Sequence, residues 1–151
     1  MLKTGSPFWL CAAETAAPAP GPPEVVFVGR LERLKGVEEL VDAAVQVLAG
    51  GDSFTLRLVG GDTPTAPASC SMREHLQRRV PPAFRDRIVF QGTEPRGEVR
   101  RFLESAAVFA APSRWDNFPC SVMEAMACGR AVVCSDAGGL PELVHHGVSG
   151  I

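Results

Sequence analysis

Two segments of the sequence carry charged residues in arrangements that can bind an anion or a sugar. The first, Gly29 to Gly36, places Arg30 and Lys35 on either side of a short turn that leads into a helix. Such a pair can clamp a pyrophosphate, with arginine as a planar fork and lysine as a point charge. Spacing alone leaves an alternative, in which Arg30 pairs with Glu32 or Glu38 at the surface and Lys35 is solvated.

The same segment lacks the G-x-G-x-x-G and G-x-x-x-x-G-K-[ST] phosphate loops. Their absence disfavours an ordinary nicotinamide dehydrogenase and a P-loop ATPase.

The second segment, Pro112 to Gly129, contains two carboxylates eight positions apart, Asp116 in a loop and Glu124 in the following helix. Both can bind hydroxyl groups of a ligand. Asp116 is equally typical of a turn, since it precedes Asn117 and both residue types favour turns. The neighbouring aromatic residues Trp115 and Phe118 are interpreted as loop anchors rather than ring-stacking surfaces.

The helix of this segment is predicted from about Pro119 to Ala127. A proline suits the first turn, and the free amides of the next three residues would point at a bound anion. These residues are Cys120, Ser121 and Val122. Ser121 and Glu124 also form the S-x-x-E pattern of a capping box, in which the glutamate would only satisfy backbone N–H groups. Spacing does not separate capping from ligand binding for Glu124.

The elements that position these residues alternate between strand and helix. Apolar runs predict strands near residues 25–28, 54–59, 88–90, 108–110 and 131–134, and apolar residues at helical spacing predict helices near 37–48, 72–80, 99–106 and 119–127. This alternation predicts an α/β fold, a doubly wound, Rossmann-like parallel sheet with helices on both faces. The loops after Gly29, Gly60, Gly92 and Pro112 are expected to converge on one edge, where such sheets bind ligands.

Composition narrows the class of protein. The 151 residues carry a formal net charge of -2, which gives no reason to expect nucleic acid as a partner, and no apolar run reaches the length of a membrane span. Residues 1–23 are predicted to be a flexible linker or remnant, because they contain a Pro/Ala/Gly tract. The apolar patch before this tract is too short for a signal peptide. The five cysteines form no C-x-x-C pair, which favours free thiols in the cytoplasm.

Hydrolase chemistry has no support, because no Ser/His/Asp arrangement with interpretable spacing is present. We interpret His145 and His146 as solvated loop residues and His75 as a surface residue.

Taken together, the motifs resemble the C-terminal, nucleotide-sugar-binding domain of GT-B glycosyltransferases of the family 4-like type, glycosyl transferases group 1. The resemblance covers residues 25–151, within a domain predicted to span residues 24–151. It rests on several blocks in order, each weak alone: Gly29-Arg30…Lys35-Gly36, Leu58-Val59-Gly60, Val89-Phe90-Gln91-Gly92, Pro112-Ser113…Asp116-Asn117-Phe118-Pro119…Glu124-Ala125-Met126-Ala127-Cys128-Gly129 and Ser135-Asp136-Ala137-Gly138-Gly139-Leu140-Pro141-Glu142.

The resemblance implies a donor site for a UDP-, GDP- or ADP-sugar in a retaining hexosyltransferase. Gly29 opens the loop in which Arg30 and Lys35 hold the diphosphate and stabilise the leaving group, a form of electrostatic catalysis. Glu124 would bind ribose hydroxyls and Asp116 the transferred sugar. The remaining implied donor contacts are the backbone at Val89 and Phe90 beside the base, and Asn117, Phe118, Pro119, Cys120 and Ser121 near the sugar and phosphate.

The sequence departs from this family in three ways. Asp116 stands where relatives usually have a glutamate, one methylene longer. We expect the domain to be incomplete at its C-terminus, because relatives continue beyond Ile151, and we expect the acceptor domain that relatives carry upstream to be missing from this chain. We therefore expect the chain alone to be inactive, and a parent protein to need that acceptor domain and to allow peripheral membrane contact.

The group implies no Asp-x-Asp metal site, so we expect metal-independent transfer with no cofactor. The alternative to an enzyme is a non-catalytic nucleotide-binding or scaffold module.

Overall fold

The computed structural model describes residues 21–67 and 70–151 of the chain. The linker predicted for residues 1–23 therefore lies almost wholly outside the described residues. The strands are β1 (Glu24–Val28), β2 (Thr55–Val59), β3 (Ile88–Gly92), β4 (Val108–Ala111) and β5 (Ala131–Cys134), and the helices are α1 (Val37–Ala49), α2 (Met72–Arg79), α3 (Arg96–Ser105), α4 (Cys120–Ala127) and α5 (Leu140–Leu143). Short 3-10 turns occupy Arg33–Lys35 and Pro82–Phe84.

The five strands form one sheet in the order β3-β2-β1-β4-β5, and every neighbouring pair is parallel. This arrangement confirms the predicted α/β, Rossmann-like fold. The chain leaves β1 toward one edge of the sheet and returns after β3 to the other side of β1. The order of the strands thus reverses between β1 and β4, which is the position where open parallel sheets bind ligands.

Each face of the sheet is covered by its own apolar cluster. Val26 and Phe27 are adjacent in β1, and because successive strand residues point to opposite faces, they enter different clusters. On the Phe27 face, α1 and α2 bury Val41 and Leu76 completely; on the Val26 face, α3 and α4 pack against Phe109. Helices on both faces explain why the strands read as continuous apolar runs rather than as alternating patterns.

The carboxyl ends of the central strands meet closely, as predicted. The amide of Gly29 donates to the carbonyl of Val59 over 2.9 Å, and the amide of Gly60 donates to the carbonyl of Gly92 over 2.7 Å. Gly60 has a φ of +149°, and a Cβ atom there would lie 1.8 Å from the carbonyl oxygen of Gly29. A glycine is therefore required at the end of β2 for the loops after β1 and β2 to approach each other.

Two local features differ from the sequence predictions. Helix α5, which contains Pro141, was not predicted, and its four residues are too few to show helical periodicity. His75 was wrongly predicted as a surface residue. It lies half-buried between α1 and α2, with Nε2 2.9 Å from Oε1 of Glu38, whose other oxygen accepts from Arg33 over 3.1 Å.

The four cysteines among the described residues are free thiols. Burial raises the pKa of Cys128 and of Cys134, which keeps these two thiols protonated at neutral pH. None of the helices in residues 21–67 and 70–151 is long and apolar enough to cross a membrane.

Glu38 is expected to make the stability of the fold depend on pH. Burial alone would raise the pKa of Glu38, but the hydrogen bond with His75 and the charge of Arg33 outweigh burial and lower the pKa below its ordinary value. A depressed carboxyl pKa stabilises the fold above the unfolded-state pKa, and this contribution disappears as pH falls through the folded-state pKa.

Urea unfolding from pH 7 down to pH 3.5 measures this contribution. The free energy of unfolding should fall less steeply below about pH 4.5 in Glu38→Gln than in the wild type. Glu39→Gln, which removes an exposed carboxylate of the same helix, serves as the control. Equal slopes for the wild type and Glu38→Gln would contradict the assignment.

Candidate functional site

The loop after β1 and the loop after β4 are in direct backbone contact. Gly36 has a φ of +67°, and a Cβ atom there would lie 1.8 Å from the carbonyl oxygen of Pro112. The amide of Arg114 also donates to the carbonyl of Leu34 over 2.8 Å. These contacts join the two segments that the sequence analysis identified as the source of cations and carboxylates.

The closest polar contact between these loops joins two predicted site residues. Nζ of Lys35 lies 2.5 Å from Oδ2 of Asp116, and the side chains are 25% and 14% exposed. The alternative in which Lys35 is solvated is therefore wrong, because the lysine bridges to a carboxylate 81 positions away. The pair lies beyond the ends of β1 and β4, where the strand order reverses.

Two glycines that follow β5 support the backbone of Asp116. The amide of Gly139 donates to the carbonyl of Asp116 over 2.7 Å. A Cβ atom on Gly138 would lie 2.2 Å from the same carbonyl oxygen, and one on Gly139 would lie 2.1 Å from the carbonyl oxygen of Asn117. The Gly-Gly step thus lets a third loop fit beneath the Asp116 loop, a role that the sequence analysis did not recognise.

Arg30 pairs with Glu32, one of the two partners that spacing left open. Nη2 of Arg30 lies 3.1 Å from Oε1 of Glu32, while 70% of the arginine side chain remains exposed. The other candidate partner, Glu38, instead pairs with Arg33 and His75. Arg30 therefore retains most of its donor surface facing solvent at the carboxyl end of β1, which is compatible with binding an anion.

Helix α4 begins one residue later than predicted, at Cys120, and Pro119 precedes it as the N-terminal cap. The amide of Val122 donates to the carbonyl of Pro119 over 3.0 Å, so this amide is not available to an anion, contrary to prediction. The amides of Cys120 and Ser121 belong to the first turn, which has no carbonyl partners within a helix. Two of the three expected amides thus remain suited to binding phosphate.

The capping-box interpretation of Glu124 is wrong. A capping box needs its serine at the N-cap, but Ser121 lies inside α4, and the helix start has no side-chain cap hydrogen bond. The polar neighbour of Glu124 is instead Arg96 at the start of α3, with Nη2 3.8 Å from Oε1. Glu124 is 27% exposed, so its carboxylate is accessible to a ligand.

The remaining predicted residues frame the two sides of the site. The indole N–H of Trp115 donates to Oδ1 of Asn117 over 2.9 Å. Trp115 and Phe118 are each 57% exposed, so the prediction that they anchor the loop is wrong. On the other side, Val89 and Phe90 lie in β3, where Arg73 donates to the carbonyl of Phe90 over 2.9 Å. His145 and His146 are exposed near the end of the chain, as predicted.

The described residues contain no group of three or more histidine, cysteine, aspartate or glutamate side chains that could hold a metal ion. Their charged groups form cation–carboxylate pairs around the end of the sheet. Such an arrangement can bind a phosphorylated ligand when phosphate oxygens replace the carboxylates as partners of the cations.

The sequence matches the model of a known family. The family model described as glycosyl transferases group 1 matches residues 22–151. The chain belongs to the group 1 glycosyltransferases.

Curated relatives agree with this family. The chain is 37% identical over 136 residues to alpha-maltose-1-phosphate synthase of Mycobacterium tuberculosis, covering 87% of this chain and 33% of the relative. It is 34% identical over 131 residues to D-inositol 3-phosphate glycosyltransferase of Thermobifida fusca, covering 84% and 30%. The chain thus spans about a third of the length of these relatives.

Solved structures show the same fold. Sucrose-phosphate synthase of Thermosynechococcus elongatus superposes with a TM-score of 0.67 at 34% identity, over 79% of this chain and 29% of that protein. Anabaena Alr3699/HepE, solved in complex with UDP-glucose, gives 0.70 at 28% identity, over 86% and 34%.

The contact between Gly36 and Pro112 predicts that a single methyl group added at Gly36 strongly destabilises the fold. Gly36→Ala should lower the free energy of unfolding by about 2 kcal/mol or more, because it combines left-handed backbone strain with a clash against a carbonyl oxygen. Gly147 has a similar φ of +73° but open space around it. Gly147→Ala should therefore cost only about 1 kcal/mol. Equal losses in urea unfolding would show that the close approach is unimportant.

The Lys35–Asp116 pair is expected to couple the two loops. In a double-mutant cycle with Lys35→Met and Asp116→Asn, we expect a coupling free energy on the order of 1 to 2 kcal/mol, above that of exposed pairs. The half-exposed pair of Arg114, in the loop after β4, and Glu39, in α1, is the control. Its coupling should stay below about 1 kcal/mol. A larger coupling for the control pair would refute the argument.

Proposed function

We propose that this chain is the donor-binding domain of a retaining glycosyltransferase, which transfers a hexose from a nucleoside-diphosphate sugar to an acceptor. The observation that carries the proposal is the contact of Lys35 with Asp116 at the point where the strand order reverses. It brings together the proposed phosphate-binding cation and the proposed sugar-binding carboxylate from loops far apart in sequence. The relative solved with UDP-glucose supports a donor of this class.

In the proposed complex, Arg30 and Lys35 bind the diphosphate. During transfer, the bond between the anomeric carbon and the phosphate oxygen breaks, and its electron pair stays on the departing nucleoside diphosphate. The acceptor hydroxyl oxygen bonds to the anomeric carbon, and its proton passes to the departing diphosphate. Two cations stabilise that developing charge, so no metal ion or other cofactor is required. Lys35 must exchange Asp116 for phosphate when the donor binds, which releases the carboxylate to accept hydrogen bonds from hexose hydroxyls.

The other proposed contacts are those that the resemblance to the family implies. Glu124 accepts from the ribose hydroxyls, and the first-turn amides of Cys120 and Ser121 donate to phosphate or sugar oxygens. The base lies beside the backbone of Val89 and Phe90 in β3. Catalysis needs an acceptor domain in the parent protein, and the free thiols fit a reducing cytoplasm.

Nucleotide binding tests the proposal without requiring transfer. In a Trp9→Phe background, Trp115 is the remaining tryptophan and lies exposed beside Asp116. Titration with UDP, GDP and ADP should quench its fluorescence saturably with one base preferred. Lys35→Ala and Glu124→Gln should each weaken binding of that nucleotide by about 10- to 100-fold, the effect of removing a charged hydrogen bond.

Glu39→Gln, an exposed change on α1, is the control and should bind like the wild type. Adding EDTA should leave the affinity unchanged, and a loss on chelation would contradict the metal-independent part of the proposal. Binding that is indifferent to both Lys35→Ala and Glu124→Gln would place the nucleotide elsewhere. Binding without transfer after the chain is joined to an acceptor domain would favour a non-catalytic nucleotide-binding module.

A further inference from the structure

Glu32 is a buried carboxylate at the edge of the site. The residue is 9% exposed, although it lies in a loop and carries a charge. Its Oε1 atom is buried and has no hydrogen-bond partner among the described residues. A buried carboxylate oxygen without a donor is costly, so the position of this side chain requires a partner for it.

The available partner is Arg30. Nη2 of Arg30 lies 3.1 Å from Oε1 of Glu32, near enough for an ion pair but outside hydrogen-bond geometry. The two side chains differ greatly in exposure, because Arg30 is 70% exposed while Glu32 is 12% exposed. The carboxylate is thus the fixed member of the pair and the guanidinium the movable one.

We propose that Glu32 is a positioning residue, which holds the guanidinium of Arg30 at the phosphate side of the donor site. The inference rests on the proposed function for the identity of the ligand. Arg30 has five N–H donors in a planar fork, and a carboxylate on one edge leaves the rest to meet phosphate oxygens. Because the side chain is oriented in advance, less rotamer freedom is lost when the diphosphate binds.

The negative charge of Glu32 also has an opposing effect on the affinity for a diphosphate. The direction of the affinity change in Glu32→Gln therefore tests the proposal. A carboxylate near a diphosphate repels it, so a Glu32 that only adds negative charge would weaken binding. Glu32→Gln would then strengthen binding of a nucleoside diphosphate. If positioning dominates, Glu32→Gln instead weakens it, by about three- to tenfold.

The first measurement uses the protein without nucleotide. In ¹⁵N NMR spectra that detect arginine Nε–Hε groups, the Arg30 signal, assigned from Arg30→Lys, should show restricted guanidinium motion in the wild type. Glu32→Gln should release it. Arg33 is the matched control, because it lies in the same loop but pairs with Glu38. Unchanged Arg30 motion in Glu32→Gln would overturn the proposal, whether or not any nucleotide binds.

The second measurement compares affinities for UDP and UMP, or for the diphosphate and monophosphate of whichever base binds. If Glu32 positions Arg30, Glu32→Gln should weaken binding of the diphosphate more than binding of the monophosphate. General loosening of the loop would weaken binding of both equally. In an Arg30→Ala background, Glu32→Gln should no longer weaken binding. Since Arg30 is exposed, Arg30→Ala should fold, and thermal unfolding checks each variant.

The outcomes separate this inference from the proposed function. Restricted Arg30 motion that depends on Glu32, with no nucleotide binding to the wild type, would refute the donor site and leave the positioning intact. Nucleotide binding that strengthens or stays constant in Glu32→Gln would overturn the positioning and leave the donor site intact. If Glu32→Gln loses affinity selectively for the diphosphate, and this loss requires Arg30, the result would support both the donor site and the positioning role.

Discussion

The site depends on backbone segments that approach each other more closely than side chains would allow. Gly36 lies so close to the carbonyl of Pro112, and Gly138 so close to the carbonyl of Asp116, that a Cβ atom on either glycine would clash with the carbonyl oxygen. Lys35 precedes the first of these glycines, and Asp116 itself forms the second contact. The positions of the two paired residues are therefore set by main-chain packing between three loops, before their charges contribute.

The charges of the site are balanced internally. Three cations near the ends of β1, β3 and β4 each lie beside a carboxylate. These pairs are Arg30 with Glu32, Lys35 with Asp116, and Arg96 with Glu124. An incoming anion consequently exchanges partners with groups that are already paired, rather than filling an empty positive pocket. Such an exchange lowers the net binding free energy gained from each contact. It favours ligands that also donate hydrogen bonds to the released carboxylates, as a sugar with several hydroxyls does.

The sequence predicted the sheet well because the central strands β1, β2 and β4 bury residues on both faces and each long helix has an apolar stripe. It did not predict α5, since four residues around a proline carry no period. Ser121 and Glu124 show why a correct pattern can mislead: the helix starts at Cys120, so the serine is not at the cap. Long-range contacts such as that of Lys35 with Asp116 were beyond local reasoning, because 81 residues separate the partners. The motif resemblance identified both residues without their contact.

Some of the hydrogen bonds that join the site loops use main-chain atoms on both sides, as between Arg114 and Leu34 or Gly139 and Asp116. Bonds of this kind do not specify the side chains of the residues that make them. The close approach itself constrains only the glycines, so side chains of these loops that make no contact of their own are free to vary. The same scaffold can therefore acquire new ligand preferences through single substitutions without losing its shape, which is a structural basis for divergence of specificity on a constant framework.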